Sequence, residues 1–193
     1  FNLSNILFYL KFRNIMNSGD SSLFNNLIKF IEGKGYNIIG AHQISDNLTL
    51  TNGLYSIARI ASKENANIKI ANYIANKIGD LDIGQSVVVA RERVLAVEAA
   101  EGTNSMLKRI IDLRFTSPDK GGVFFKTSQN IQDKRLDMPT IGPKTIDLVI
   151  KANLSGVAIT QGDVIVLEYD KVIKLINENN LFFIVIDSLS NHE

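Results

Sequence analysis

The stretch VFFKTSQNIQDKRLDMPTIGPKTIDLVIKANLSGVAIT (Val123–Thr160) decides the fold, because it contains one strand–helix–strand unit. The apolar run Val123–Lys126 predicts a buried strand, and Val157–Ile159 predicts a second one. Between these strands, Lys144–Ala152 carries apolar residues at helical spacing. Strands that alternate with helices indicate an α/β fold.

The same alternation continues on both sides of this unit. Upstream, the sequence predicts helices over Leu3–Phe12, Leu23–Ile31 and Asn65–Ile78, strands over Tyr36–Ala41, Gln85–Ala90 and Val94–Glu98, a hairpin turn at Arg91–Arg93, and a helix that Thr103 begins. Downstream, it predicts a strand over Val164–Leu167, a helix over Asp170–Asn177 and a strand over Leu181–Ile186. Residues 43–54 are polar and predict a loop. We predict two units, residues 1–57 and residues 58–193, of which the second is a self-contained α/β domain.

Composition excludes several classes of function. The 193 residues contain 21 Lys and Arg against 20 Asp and Glu, so the net charge of +1 lacks the basic excess of a general nucleic-acid binder. The absence of Cys excludes disulfides and thiolate sites, and two His residues exclude a multi-His metal site. Any metal is therefore expected to be a hard ion with oxygen ligands, Mg2+ or Mn2+. The apolar run Ile6–Leu10 is too short to span a bilayer, so we expect a cytoplasmic protein.

The polar segment that follows Val123–Lys126 is the strongest candidate for chemistry. Ligands of α/β sheets gather beyond the carboxyl ends of strands, where Lys126 lies. Asp133 and Asp137 could hold a divalent cation or activate water. Lys126, Arg135 and Lys144 could neutralise phosphate oxygens, and Thr140 or Thr145 could donate to a phosphate at the start of the next helix. The alternative is a charged, solvated loop without a function.

A second polar cluster, Glu98–Asn104, separates a predicted strand from a predicted helix. Gly102 permits a tight turn, after which the backbone N–H groups of the helix start could bind an anion such as phosphate. The alternative is that Thr103 is an ordinary N-cap. Glu98 ends an apolar strand and could point either to solvent or into a cleft.

At these residues the sequence resembles the LpxI family of UDP-2,3-diacylglucosamine pyrophosphatases. The resemblance is carried by DIGQSVVV (Asp82–Val89), VEAAEGTN (Val97–Asn104), VFFK (Val123–Lys126) and QDKRLDMPTIGPKTI (Gln132–Ile146), with an upstream match over Gly19–His42. It covers most of the chain, in one ordered set of motifs.

The resemblance implies two α/β domains with the active site in the cleft between them. It implies hydrolysis of UDP-2,3-diacylglucosamine to 2,3-diacylglucosamine 1-phosphate (lipid X) and UMP in lipid A biosynthesis, by attack of water on the sugar-side phosphorus. It further implies that the reaction needs a divalent cation, either Mg2+ or Mn2+. It also implies peripheral contact with the inner membrane and a homodimer.

The resemblance also implies roles for individual residues. An Asp of the QD-x-R-x-D-x-P loop is essential in the family. Because either Asp133 or Asp137 could be that residue, we predict both as catalytic residues and metal ligands. The expected substrate and phosphate contacts come from Lys126, Arg135, Gln132, Gln85, Gly102, Thr103, Asn104 and Thr145.

Two departures from the family pattern support an alternative function. Asn104 stands where the family has Asp, and the first half of the N-terminal domain is expected to be missing from residues 1–57. A truncated or inactive homologue would bind a nucleotide-sugar or lipid without turnover. A third hypothesis is an unrelated α/β domain whose polar loops are only surface.

Overall fold

A computed structural model of the protein describes residues 20–114, 120–129 and 133–187. Its helices are α1 (Asp20–Glu32), α2 (Ala41–Ile44), α3 (Ser62–Asp80), α4 (Thr103–Arg114), α5 (Pro143–Lys151) and α6 (Tyr169–Glu178), with a 3-10 turn at Asp46–Leu48. Its strands are β1 (Gly53–Leu54), β2 (Ser86–Ala90), β3 (Arg93–Val97), β4 (Val123–Lys126), β5 (Thr140–Ile141), β6 (Gly156–Thr160), β7 (Ile165–Val166) and β8 (Phe182–Ile186). The expected α/β class is confirmed.

Six strands form one mixed sheet in the order β1-β8-β6-β4-β2-β3. The central strands β4, β6 and β8 are parallel, with Val123 opposite Gly156 and Gly156 opposite Phe182. β2 runs antiparallel to β4, and β3 runs antiparallel to β2. β5 and β7 form a separate parallel pair.

The sheet separates two hydrophobic clusters because successive strand residues point to opposite faces. On one face, Val87, Val89 and Phe125 pack with the apolar side of α3. On the other face, Val88 and Phe124 pack with side chains of α4, α5 and α6. The central strands are thus covered on both sides, which explains why their sequences are continuous apolar runs.

The direction of the strands brings distant segments of the chain to one edge of the sheet. β3 and β4 run the same way and end at this edge, and antiparallel β2 begins there. The residues just after β3 and β4 therefore lie beside the residues just before β2. We call this the carboxyl edge, because the parallel strands β4, β6 and β8 all end at it.

The predicted strand over Tyr36–Ala41 is wrong. Residues 36–40 are irregular, and Ala41–Ile44 forms the short helix α2. Tyr36 is 69% exposed and Ile39 is 63% exposed, so this apolar run is not buried as a strand of the sheet. An ideal Cβ on Gly40 would lie 3.0 Å from the Cα of Arg135, so this segment contacts the loop after β4.

The other predicted helices and strands are confirmed to within a few residues, except Leu3–Phe12, which lies outside the described residues. Within the predicted loop of residues 43–54, the structure has the end of α2, the 3-10 turn and β1. The boundary after residue 57 stays a prediction, and β1, just before it, pairs with β8. None of the described helices combines the length and the hydropathy needed to cross a membrane.

Candidate functional site

A buried ammonium group lies at the carboxyl edge. Lys126 is the last residue of β4, and only 3% of its surface is exposed. Its Nζ donates to Thr103 Oγ1 at 2.6 Å and lies 3.5 Å from Glu98 Oε2. The prediction that Lys126 ends a strand is thus confirmed, and its role in binding a ligand stays a prediction.

Glu98 is the centre of this buried network. Its carboxylate accepts hydrogen bonds from the hydroxyls of Ser86 and Thr103, the latter at 2.9 Å, in addition to the contact with Lys126. Glu98 is 6% exposed and Ser86 is fully buried. Buried charges are tolerated when they are paired and hydrogen-bonded, and this carboxylate has both kinds of partner. We refer to Ser86, Glu98, Thr103 and Lys126 as the Glu98 cluster.

The backbone fixes the position of Glu98. Its N–H donates to the Ser86 carbonyl at 2.8 Å, which extends the pairing of β2 and β3 by one residue. An ideal Cβ on Gly84 would lie 2.1 Å from the Glu98 carbonyl oxygen, so only glycine permits the two backbones to approach this closely. The low exposure of Glu98 and the hydrogen bonds to its carboxylate exclude the alternative that it points to solvent.

The charge of Lys126 depends on its surroundings. Burial lowers the pKa of its ammonium group, while Glu98 and Asp137 act in the opposite direction and favour the charged form. The two carboxylates face Lys126 from the end of β3 and from the loop after β4. An ammonium so placed can attract an anionic oxygen that approaches the carboxyl edge.

The predicted phosphate cradle begins at the same cluster. Gly102 has φ of +78°, and α4 starts at the next residue. Thr103 is the first residue of that helix, and its hydroxyl is used within the Glu98 cluster, so the simple N-cap interpretation is wrong. Toward an anion, Thr103 can therefore offer its backbone N–H. The side chain of Asn104 is exposed at this helix start.

The loop after β4 holds the two predicted catalytic carboxylates in different environments. Asp133 is paired with Arg135, whose Nη2 donates to Oδ2 at 2.7 Å and whose backbone N–H donates to Oδ1 at 3.0 Å. Arg135 also donates to Glu32 of α1 at 2.7 Å. These hydrogen bonds lower the pKa of Asp133 and raise that of Arg135.

Asp137 is the carboxylate of this loop that acts on Lys126. The backbone N–H groups of Leu136 and Asp137 both donate to the Asp133 carbonyl at 3.1 Å, so the segment is a tight turn. Asp137 is half-buried, and its charge raises the pKa of Lys126. The turn therefore directs the two Asp residues toward different cations, Asp133 toward Arg135 and Asp137 toward Lys126.

A second ionic contact, which the sequence did not indicate, anchors this loop. Lys134 forms an ion pair with Asp163, a 7% exposed residue in the loop after β6. Asp163 also accepts from the Thr127 hydroxyl at 3.2 Å. Lys134 and Thr127 lie 29 and 36 positions from Asp163 in the sequence, so no local sequence pattern indicates these contacts.

The remaining predicted contacts are distributed along the edge. Thr145 is buried in the first turn of α5, and its N–H donates to the Gly142 carbonyl at 2.9 Å. Gln85 Oε1 and Thr160 Oγ1 are buried and have no hydrogen-bond partner within the described part of the chain. Gln85 directly precedes β2 and Thr160 ends β6, so both lie at the carboxyl edge. The predicted contact Gln132 lies outside the described residues.

The donors for a metal ion are limited. Across residues 20–114, 120–129 and 133–187, no three His, Asp or Glu side chains are grouped closely enough to hold a cation by themselves. Both oxygens of Asp133 already accept from Arg135. A divalent cation at this loop would need further oxygen ligands, such as substrate phosphates and waters, besides one or two of these carboxylates.

Comparison with known proteins gives a consistent match. The family model described as the LpxI C-terminal domain matches residues 51–184. A UDP-2,3-diacylglucosamine pyrophosphatase LpxI of Caulobacter vibrioides is 37% identical over 173 residues, which cover 88% of this chain and 62% of that relative. The chain thus spans less than two thirds of the length of this curated relative.

Proposed function

This chain belongs to the LpxI family, and on that premise we propose that it hydrolyses the pyrophosphate bond of UDP-2,3-diacylglucosamine in lipid A biosynthesis. The products would be UMP and 2,3-diacylglucosamine 1-phosphate. Water would add to the sugar-side phosphorus, the anhydride P–O bond would break, and UMP would leave with the bridging oxygen. The proton released from the water would pass to a carboxylate of the loop and then to solvent.

The observation that carries this proposal is the Glu98 cluster beneath the loop that contains Asp133 and Asp137. Cleavage of a pyrophosphate requires positive charge near the phosphate oxygens and a positioned water. Lys126 supplies a fixed ammonium that Thr103 and Glu98 orient. Arg135 supplies a second cation on the loop, and the N–H groups after Gly102 supply neutral donors.

The carboxylates of the loop would have separate tasks. Asp137, which acts on Lys126, is the better placed of the two to orient water or hold a cation beside the phosphates. Asp133 can do the same only if its pairing with Arg135 opens when substrate arrives. Bound Mg2+ or Mn2+ would polarise a phosphoryl oxygen and lower the pKa of a water, and Asp137 and Asp133 are the residues proposed to hold it.

The buried polar atoms that have no partner among the described residues suit substrate contacts. Gln85 Oε1 can accept from a sugar hydroxyl, and the Thr160 hydroxyl can donate to a phosphate oxygen. An unpaired buried polar atom costs free energy, and a ligand that pairs it recovers that cost. Gln132 and Thr145 remain proposed contacts of the same kind.

The wider setting of the reaction is also a proposal. The family relationship favours an active site in a cleft between this α/β domain and an N-terminal domain. The contact of Gly40 with Arg135 supports an approach of the two parts at the loop after β4. We further propose cytoplasmic action at the surface of the inner membrane, because the substrate is acylated, and a homodimer.

Release of UMP from purified UDP-2,3-diacylglucosamine tests this function directly. We expect UMP and lipid X in equal amounts with Mg2+, and a large loss of rate after chelation of divalent cations. Asn104, in place of the family's Asp, favours the alternative of binding without turnover. Binding of the substrate with no release of UMP at any Mg2+ concentration would support that alternative and contradict hydrolysis.

A further inference from the structure

Asp163 is a buried carboxylate that lies outside the sequence motifs of the predicted site. It belongs to the turn after β6, at the carboxyl edge, where its backbone N–H donates to the Thr160 carbonyl at 3.3 Å. In the same turn, the Gly162 N–H donates to the Leu50 carbonyl at 3.3 Å, so the segment before β1 also holds this turn. The turn therefore presents the Asp163 side chain at a fixed position next to the end of β4.

The two oxygens of this carboxylate bind different parts of the loop after β4. Oδ2 accepts from the Thr127 hydroxyl at 3.2 Å, and Oδ1 accepts from the Lys134 ammonium group. Thr127 directly follows Lys126, whereas Lys134 directly follows Asp133. One side chain thus connects the base of the loop with the part that contains the two predicted catalytic carboxylates.

Burial distinguishes the pair of Asp163 with Lys134 from an ordinary surface ion pair. The Asp163 side chain is 10% exposed, whereas that of Lys134 is 44% exposed. A charge removed from water is tolerated when it is paired and hydrogen-bonded, so departure of the ammonium group would leave a buried carboxylate without its counter-charge. This cost favours the arrangement in which Lys134 stays at Asp163.

The position of Lys134 in turn influences that of Asp137. The Asp137 N–H donates to the Asp133 carbonyl at 3.1 Å, so Lys134 lies within the same tight turn as both carboxylates. From this turn, the charge of Asp137 acts on Lys126. Attachment of the turn to Asp163 therefore keeps a carboxylate facing the ammonium group to which the phosphates are proposed to bind.

We propose that Asp163 is a positioning residue for hydrolysis, which acts through Lys134 and Thr127 to hold the loop after β4 at the Glu98 cluster. The inference rests on the proposed function, since it assigns a role in that same site. In this role, the Asp163 carboxylate touches neither the substrate nor a metal. Its loss should therefore slow the chemical step, while the contact of Lys126 with the phosphates, and hence the affinity, changes little.

Steady-state kinetics of UMP release by the full chain with Mg2+ tests the role in catalysis. We expect Asp163→Asn to lower kcat about tenfold or more and to change KM less than about twofold, because a small displacement of a catalytic group is costly. Lys134→Gln should lower kcat by a similar factor. The double variant should lose no more than either single variant, because both substitutions remove one contact.

Glu178→Gln is the matched control for these kinetics. It also removes one carboxylate charge, but from an exposed ion pair with Lys174 on α6. This variant should keep the wild-type kcat and KM.

Limited digestion with trypsin tests the attachment of the loop without any turnover. We expect cleavage after Arg135, identified by mass spectrometry, to be about tenfold faster in Asp163→Asn than in the wild type, because cleavage follows the population of the open loop. Cleavage after Lys126, at the end of the core strand β4, should not change. Equal acceleration after Lys126 would show that Asp163 stabilises the whole fold rather than the loop, and would overturn the proposal.

The two measurements separate this proposal from the proposed function. A wild-type chain that releases no UMP contradicts hydrolysis, whereas cleavage after Arg135 still shows whether Asp163 holds the loop. If the wild type releases UMP and Asp163→Asn retains its kcat, the positioning role is wrong and hydrolysis stands. A lower kcat with unchanged cleavage after Arg135, or a double variant whose losses multiply, would also overturn positioning through Lys134.

Discussion

Lys126 Nζ lies 3.5 Å from Glu98 Oε2, and both side chains are almost completely removed from water. The two residues are 28 positions apart, and the antiparallel pairing of β2 with β3 and β4 brings them together. A buried ion pair of this kind contributes little net stability, but loss of one partner leaves an uncompensated charge. The pair therefore fixes the position of Lys126 and of the loop that faces it.

Removal of the carboxylate should destabilise the fold. Glu98→Ala leaves the Lys126 ammonium without its counter-charge, and we expect a loss of about 3–5 kcal/mol in the free energy of unfolding. Urea denaturation measures this loss. Glu101→Ala, which removes the exposed partner of Arg109, is the matched control and should change the free energy of unfolding far less than Glu98→Ala does, because solvent screens this pair.

Replacement of both charges should restore stability. In Glu98→Leu combined with Lys126→Met, no buried charge remains, and such pairs of apolar residues are often as stable as the ion pair. We expect the double variant to recover most of the stability that Glu98→Ala loses, but not activity. A double variant as unstable as the single one would contradict the role assigned to the pair.

The close backbone approach at Gly84 gives a second prediction. In Gly84→Ala, the new Cβ would collide with the backbone carbonyl of Glu98, which cannot rotate away. We expect a loss of about 1–3 kcal/mol, as for overpacked sites, together with reduced UMP release because Glu98 is displaced. Thermal denaturation and the UMP assay measure both effects.

Gly79→Ala is the control for this substitution. Its Cβ would meet Gln129 only at ordinary contact distances of 3.5 Å and more, and the position is helical. Stability should stay the same or rise, since alanine favours helices over glycine. Equal losses in both variants would exclude the specific collision with Glu98.

The pairing of Asp133 with Arg135 predicts a pH effect. Hydrogen bonds from Arg135 hold the pKa of Asp133 below its ordinary value of 3.8. The pair therefore stabilises the fold above that value, and its contribution is lost as the pH falls through the lower, folded-state pKa. In Arg135→Gln, NMR titration should show the pKa of Asp133 moving up toward 3.8.

Lys134→Gln provides the comparison for this titration. Lys134 is adjacent in sequence but pairs with Asp163, so its loss should leave the pKa of Asp133 nearly unchanged. An Asp133 pKa that does not respond to Arg135→Gln, or that responds equally to Lys134→Gln, would contradict the observed pairing.

Most of the fold follows from local sequence patterns. The runs Val123–Phe125 and Leu181–Ile186 are apolar throughout because helices cover both faces of these strands, so they are recognisable without a partner. Tyr36–Ala41 (YNIIGA) is also mostly apolar, yet it forms no strand of the sheet and leaves Tyr36 and Ile39 exposed. Composition indicates strand preference, whereas strand formation depends on pairing that a local pattern does not contain.

The candidate site was only partly predictable. Lys126 and the loop with Asp133 and Asp137 are candidates from the sequence because ligands of α/β sheets gather beyond the carboxyl ends of strands. The direction of the Glu98 side chain could not be predicted from the sequence. A residue just after a strand can turn toward solvent or toward the interior, and the neighbouring strand decides which. The sequence does not indicate a role for Ser86 or Asp163, because the fold of the sheet brings their hydrogen-bond and ion-pair partners from distant parts of the chain.

The rate of UMP release by Asp133→Asn and by Asp137→Asn, measured with Mg2+ on UDP-2,3-diacylglucosamine, tests the proposed hydrolysis at this loop most directly. We expect at least one of the two variants to lose about a hundredfold or more, the usual effect of removing an acid–base or metal-binding group, while circular dichroism shows a folded chain. Asp147→Asn, on the exposed side of α5, should keep wild-type turnover. Wild-type turnover in both loop variants would contradict the assignment of catalysis to this site.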